Sequence, residues 1–151
     1  MAKNKKVLML MHNGVEDSEY ATILSVLTRR GVDVSTFFMN EEDTLTTQYR
    51  TKLQKPAANH TVIHNLDEYT GLVIPGGVHV THIENDARTK DIVEHFINRK
   101  DEVVVGAMSN APIILAKLGV ISGVEVISYP DKQLRQAIIK AGGVIPNESA
   151  E

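Results

Sequence analysis

The stretch VVVGAMSNAP, residues 103–112, decides how this chain folds. Val103 to Ala107 is a short, mainly apolar run, typical of a strand that is buried on both faces. Pro112 fits the first turn of a helix that runs to Leu118, and Gly119 stands just past its end. A buried strand that passes through a tight turn into a helix is the repeating unit of a parallel α/β sheet.

The same alternation of strand and helix recurs along the whole chain. Apolar residues at helical spacing predict helices around Leu24, behind Asn85 and Asp86, and around Leu134, and Asp17 or Ser18 is expected to cap the first of them. The predicted strands are Val7 to Met11, Val32 to Phe38, Tyr69 to Ile74 and Val103 to Ala107, with shorter ones at Thr61 to His64 and Val124 to Ile127. We therefore expect one α/β domain over residues 1–151, a doubly wound, mostly parallel sheet with helices on both faces.

Composition excludes several classes of protein. The 151 residues include 16 basic and 19 acidic side chains, a net charge of -3, so there is no basic excess of the kind that binds nucleic acid. Cysteine is absent, which excludes disulfides, thiol chemistry and cysteine–zinc sites. The apolar runs are too short for a membrane helix or a signal peptide. We expect a soluble, cytoplasmic protein.

Ser109 is the first candidate functional residue. It follows a predicted buried strand, opens a helix and has an alanine two residues away on each side. A nucleophile elbow has this layout, because small neighbours let one side chain project from a strained turn. A serine that merely caps the helix has the same layout, and the pattern alone favours the cap.

Two further loops are expected beside Ser109, since ligands bind beyond the carboxyl ends of parallel strands. The backbone amides of Gly76 and Gly77 are candidates for an oxyanion hole, but Pro-Gly-Gly also makes an ordinary turn. Glu19 is either an acid that faces the elbow or a first-turn carboxylate favoured by the helix dipole. His12 and His79 are expected to line the same pocket, His12 being the first candidate for contact with Ser109.

The remaining histidines predict no further site. His79, His82 and Glu84 have ligand chemistry, but no third fixed ligand is visible by spacing, so a solvated loop is favoured and no metal or cofactor is predicted. His60 and His64 flank a predicted strand and receive the same interpretation. His95 is expected to be exposed on its helix.

Three motifs, taken in order, resemble the ThiJ/PfpI family. They are NGVEDSE at 13–19, LVIPGG at 72–77 and VVVGAMSNAP at 103–112, and the similarity runs from about Lys5 to about Gly143. The resemblance implies a flavodoxin-like fold and a nucleophile elbow at Ser109. It also implies that the acid of the first loop is Glu19, which the family uses as a protonated hydrogen-bond donor.

This chain departs from the family at the elbow. Where the family has a reactive cysteine this sequence has Ser109, and the two positions at which members carry a histidine are Asn110 and Tyr129. We therefore expect weak or no thiol-type catalysis, with binding of a small carbonyl or anionic ligand or a stress-related role. The alternative is a serine hydrolase or amidase that uses Ser109, with the backbone amides of Gly77 and Asn110 as oxyanion hole. A third, weaker interpretation is a nucleotide or flavin binder.

The chain also ends soon after Gly142 and Gly143, where relatives continue with a strand and a helix. If the fold is otherwise kept, apolar surface is expected to be left uncovered, and such a patch is normally covered by a partner subunit. The resemblance and this expectation together predict a homodimer.

Overall fold

Four parallel strands form the central sheet. The computed structural model describes residues 4–99 and 101–146. Within them the sheet has the order β2-β1-β5-β6, and every neighbouring pair is parallel. The strands are β1 (Lys6–Met11), β2 (Asp33–Phe38), β5 (Gly71–Ile74) and β6 (Val104–Ala107); β3 (Thr44–Thr46) and β4 (Lys52–Gln54) pair separately as an antiparallel hairpin. The predicted α/β class and parallel sheet are confirmed.

Helices cover both faces of the sheet. They are α1 (Asp17–Arg29), α2 (Val80–Ile83), α3 (Ala87–Ile97), α4 (Pro112–Lys117) and α5 (Lys132–Lys140). Leu8 and Leu10 of β1 pack into the apolar cluster that includes Phe96 of α3, while Met9 and Met11 pack with Ile23 of α1. Alternate side chains of one strand point to opposite faces, which is why the apolar run of β1 has no polar positions.

The hairpin of β3 and β4 brings its connecting loop, residues 47–51, to the carboxyl end of β1. The backbone N–H of Gly14 donates to Thr46 O at 2.9 Å, and that of Gln48 donates to Val15 O at 2.8 Å. Residues 40–60 carry no clear periodicity, and the sequence did not predict this hairpin. Its loop forms one wall of the candidate site.

Two predicted short strands are wrong. Residues Asn59–His64 form a 3-10 helix, in which the buried Asn59 side chain accepts the Phe38 N–H at 2.7 Å and donates to Phe38 O at 2.9 Å. The Asn59 side-chain amide thus satisfies the backbone N–H and carbonyl of Phe38 at the end of β2, without a further strand. Val124 to Ile127 also lies outside the sheet; among the described residues it makes one isolated bridge, between Glu125 and Val144, and Ile127 is 81% exposed.

Two local predictions also need correction. The cap of α1 is Glu16 rather than Asp17 or Ser18, because the Glu16 carboxylate accepts the Glu19 N–H at 2.7 Å while Asp17 is bonded to Thr47. His95 is half-buried, with Nε2 2.8 Å from Asp67 Oδ1.

None of the helices in the described ranges is long and apolar enough to cross a membrane.

Candidate functional site

Ser109 occupies a strained turn between β6 and α4. Its φ is 60°, in the left-handed region that side chains other than glycine seldom adopt. The N-terminal cap of α4 is Ala111, and no side chain caps that helix. The helix-cap interpretation of Ser109 is therefore wrong, and the backbone has the geometry of an elbow.

The three predicted loops converge on this elbow. A Cβ added to Gly76 would lie 2.7 Å from Ser109 Cβ, 2.8 Å from Asn110 Oδ1 and 2.9 Å from Glu19 Oε2. Only a residue without a side chain fits where these three groups meet. The structure thus brings together Ser109, Glu19 and the Gly76–Gly77 turn, as the order of the loops predicts.

Gly77 is held from both sides of its backbone. Its N–H donates to Asn110 Oδ1 at 3.0 Å, and its carbonyl oxygen accepts from Asn110 Nδ2 at 3.0 Å. The neighbouring carbonyl of Gly76 accepts the Glu16 N–H at 3.0 Å. The sequence makes the Gly77 amide a candidate for an oxyanion hole, with an ordinary turn as the alternative. In the folded chain this N–H already donates to the Asn110 side chain.

The carboxyl group of Glu19 faces the elbow from the start of α1. Burial raises the pKa of Glu19 above its ordinary value, and the Glu16 carboxylate acts in the same direction. A hydrogen bond with the Ser109 side chain opposes both. A carboxyl group whose pKa is raised keeps its proton to higher pH than a free one, and in that protonated form Glu19 can donate a hydrogen bond.

His79 lies beneath the Pro75–Gly77 turn rather than in the pocket. It is fully buried, its Nε2 is 2.6 Å from Pro75 O, and its Nδ1 accepts the His12 N–H at 3.2 Å. Burial lowers the pKa of His79 to about 4. The ring is therefore neutral near pH 7, with its proton on Nε2, and it fastens the loop to the end of β1.

His12 also lies outside the described lining of the cavity. Its ring stacks on that of His82, with centroids 4.7 Å apart, and burial lowers its pKa. The prediction that His12 and His79 line the pocket is wrong, because both rings pack on the α2 side of the loop. Within residues 4–99 and 101–146, no cluster of three acidic or histidine side chains could hold a metal ion.

A cavity of about 460 Å³ opens above Ser109. Tyr129, whose N–H donates to Ser109 O at 2.9 Å, forms one wall, as the sequence predicts. Sequence reasoning missed the opposite wall, Gln48 and Tyr49, because it comes from the hairpin loop and no local pattern marks it. The cavity is lined by Glu16, Ser18, Glu19, Gln48, Tyr49, Gly77, Val78, Ser109, Asn110 and Tyr129.

The hairpin loop is fastened to the start of α1. The Thr47 hydroxyl donates to Asp17 Oδ2 at 2.6 Å, and the Tyr49 N–H donates to Asp17 Oδ1 at 3.0 Å. Burial acts to raise the pKa of Asp17, but these hydrogen bonds outweigh it and hold the pKa below its ordinary value. Gln48 Oε1 accepts the Val78 N–H at 3.1 Å, which joins the same loop to the glycine turn.

Comparison with known proteins places this site in a family. The DJ-1/PfpI family pattern matches residues 5–148. An uncharacterized protein of Methanocaldococcus jannaschii is 30% identical over 81 residues, 53% of this chain and only 38% of that protein. The putative cysteine protease YraA of Bacillus subtilis is 23% identical over 139 residues, 92% of this chain and 79% of that protein.

Solved structures show the same fold. Drosophila melanogaster DJ-1beta superposes with a TM-score of 0.82 at 21% identity, covering 98% of this chain and 77% of that one. A ThiJ/PfpI domain protein from Brachyspira murdochii gives a TM-score of 0.81 at 15% identity, covering 97% and 82%. The flavodoxin-like expectation is confirmed. Since the family pattern spans nearly the whole sequence and the fold agrees with it, this chain belongs to the DJ-1/PfpI family.

Proposed function

We propose that the cavity above Ser109 binds a small molecule with a carbonyl oxygen, reversibly and without covalent catalysis. One observation carries the proposal: the Ser109 side chain and the Glu19 carboxyl group meet at Gly76, where an added Cβ would lie 2.7 Å from Ser109 Cβ and 2.9 Å from Glu19 Oε2, and the two side chains are hydrogen-bonded. The described lining of the cavity contains no histidine to serve as base. When Glu19 is protonated, one O–H of the Ser109–Glu19 pair bonds the other side chain and the second is left to donate to a ligand.

A serine hydroxyl attacks only when a neighbouring base removes its proton. Glu19 cannot do so while it holds its own proton, and the Gly77 amide, half of the expected oxyanion hole, is occupied. The strained φ of Ser109 favours the serine hydrolase alternative, but strain alone provides neither a base nor an oxyanion donor.

The lining also favours a neutral carbonyl over an anion. Its described residues include no lysine or arginine, whereas Glu16 and Glu19 both contribute carboxyl groups. An anion would lack a counter-charge there, while a neutral carbonyl oxygen needs only donors. The exposed rings of Tyr49 and Tyr129 add apolar contact at two walls.

Amide NMR titration with dihydroxyacetone, a small neutral ketone, and with pyruvate, an anionic one, tests the proposal. We expect saturable shifts of the Gly76 and Ser109 amides with dihydroxyacetone and at least several-fold weaker binding of pyruvate. Ser109→Ala should weaken the ketone, since it removes one donor, whereas Ser25→Ala on the exposed face of α1 should not.

A fluorophosphonate probe tests the alternative directly. We expect no labelling, because the probe reports a serine that is activated by a base. Covalent modification of Ser109 would overturn the proposal in favour of a serine hydrolase, and ketone titration without any shift at the elbow would overturn the binding function itself.

A further inference from the structure

We infer that Asn110 is a positioning residue that keeps the elbow a binding site, because its side chain withholds the Gly77 amide from whatever occupies the position of the Ser109 side chain. The inference rests on the proposed function and explains why this elbow binds rather than reacts. It assigns a role to the side chain of Asn110, a residue whose backbone amide the sequence made a candidate oxyanion donor.

The contact between Asn110 and Gly77 is a closed pair of hydrogen bonds. The side-chain amide donates to the carbonyl oxygen of Gly77 and accepts its N–H, each at 3.0 Å. One side chain therefore satisfies both polar groups of one backbone residue, in the way that an adjacent strand would. The bond from Nδ2 to the Gly77 carbonyl holds the Asn110 side chain in place, so the Gly77 N–H is withheld from the site more firmly than by a single contact.

The turn that Asn110 holds is the one that packs against the nucleophile position. A Cβ on Gly76 would come within 2.7 Å of Ser109 Cβ, so the peptide that joins Gly76 to Gly77 lies beside that side chain. The other side of the turn is fixed as well, because the Glu16 N–H donates to Gly76 O and the His79 N–H donates to Gly14 O. These bonds hold the turn beside Ser109. The side chain of Asn110 therefore determines which acceptor the Gly77 N–H bonds to.

An elbow of this kind stabilises negative charge through backbone N–H groups. With the Gly77 amide occupied, an anion formed at position 109 would lose one donor that the turn places beside it. Glu19 remains as a donor to a neutral oxygen, which suffices for binding a carbonyl. The same side chain thus leaves binding intact and removes one of the donors that would stabilise an oxyanion or a thiolate.

The absence of cysteine from the sequence makes the test specific. Ser109→Cys introduces the sole thiol of the protein, and its pKa follows from the pH dependence of alkylation by iodoacetamide. Adding Asn110→Ala frees the Gly77 N–H to bond the thiolate. We expect the thiol pKa to fall by roughly one unit and alkylation at pH 7 to become several-fold faster.

Asn110→Asp in the same Ser109→Cys background is the matched control. Aspartate keeps an oxygen that can accept the Gly77 N–H, although it loses the donor to Gly77 O, and its added negative charge should raise the thiol pKa. Hydrogen exchange of the Gly77 amide gives a second readout. The amide should be protected with Asn110 or aspartate and exchange at least tenfold faster with alanine.

Two results would overturn the inference. One is a thiol pKa that is the same with Asn110 and with alanine although the Gly77 amide has become exposed. The other is an equal fall of the pKa in the alanine and aspartate variants, which would indicate a loosened loop rather than a released donor. Neither the thiol pKa nor the hydrogen-exchange rate depends on a bound ligand. The binding proposal and this inference are therefore tested by separate measurements, and either can fail without the other.

Discussion

At the scale of single residues, Ser109 sits where the family has its thiol, and its φ of 60° lies in the left-handed region. A Ser109→Cys variant is expected to become sensitive to peroxide. Protonated Glu19 would donate a hydrogen bond to the thiolate, and a stabilised, accessible thiolate is the form that oxidises to sulfinic acid. Intact-mass spectrometry after mild peroxide should show the addition of two oxygen atoms.

The control for this oxidation is Ser25→Cys, which places the thiol on the exposed face of α1. That thiol should resist the same peroxide treatment and titrate like free cysteine. If both thiols oxidise at the same rate, the elbow adds nothing to the stability of the anion.

Gly77 gives a second residue-scale prediction. Its φ is +118°, and an added Cβ would lie 2.5 Å from Glu16 N and 2.6 Å from Gly14 O, both backbone atoms. Gly77→Ala should therefore lower the free energy of unfolding by more than the roughly 1–3 kcal/mol of backbone strain alone. Gly119→Ala is the control, because its φ is +71° but no atom lies within 4 Å.

Urea denaturation of the two glycine variants separates strain from collision. Gly119→Ala should lose about 1–2 kcal/mol from the left-handed conformation only. Equal losses of unfolding free energy in Gly77→Ala and Gly119→Ala would mean that the backbone at Gly14 and Glu16 moves aside at low cost, and that the short distances around Gly77 do not constrain it.

At the scale of elements, the loop between β3 and β4 reaches the site because Thr47 ties it to α1. The buried Thr47 hydroxyl donates to Asp17 and accepts the Thr51 N–H at 2.9 Å. Thr47→Val removes both bonds with little change of shape and leaves the Thr51 N–H unpaired, at a cost of about 1–3 kcal/mol.

The loss of these two hydrogen bonds at Thr47 should also weaken binding at the ligand site. Tyr49 and Gln48 follow Thr47 directly, so a loosened loop should weaken ketone binding in the titration described above. Thr61→Val is the control, since the Thr61 hydroxyl bonds only within its own 3-10 helix, at 2.8 Å to Ala58 O. An unchanged affinity in Thr47→Val would show that the hairpin wall does not contact the ligand.

At the scale of the whole molecule, His79 makes stability depend on pH. Above pH 6.5 the ring is neutral in the folded and the unfolded chain, so it contributes no pH dependence. As the pH falls from 6.5 towards the folded value of about 4, only the unfolded chain takes up the proton. Stability should decrease over that window by up to about 3 kcal/mol.

Urea denaturation at pH 7.5 and pH 5 measures this effect. His79→Gln should be less stable at pH 7.5, because the buried hydrogen bonds are lost, but its decrease between the two pH values should be smaller by about 2 kcal/mol. His60→Gln, at an exposed position, should keep the pH dependence of the unaltered protein. An unaltered pH dependence in His79→Gln would mean that His79 titrates freely.

Assembly is the other property at this scale, and we propose that the protein is a homodimer. Several large apolar side chains are exposed, among them Val104 at 74% and Ile139 at 60%. Covering such surface contributes roughly 25 cal/mol for each Å² removed from water. Light scattering at micromolar concentration should give twice the monomer mass, and a stable monomer that binds no hydrophobic dye would contradict the proposal.

The sequence by itself determined the four strands of the parallel sheet, the long helices between them and the position of Ser109 in the turn between β6 and α4. The apolar run of β1 and the loops after β5 and β6 are local signals, since short connections and strand ends place them without reference to distant residues. Thr61 to His64 was misassigned because the pairing of β2 depends on Asn59, a buried side chain 21 positions away from Phe38.

The tertiary structure decided what the elbow can do. The bond of Asn110 to Gly77 joins residues 33 positions apart, and the wall at Tyr49 depends on a bond to Asp17, 32 positions away. His79 was expected in the pocket but is buried beside His12, 67 positions earlier in the chain. Such contacts leave no periodicity in the sequence, because they depend on where two loops meet after the sheet has formed.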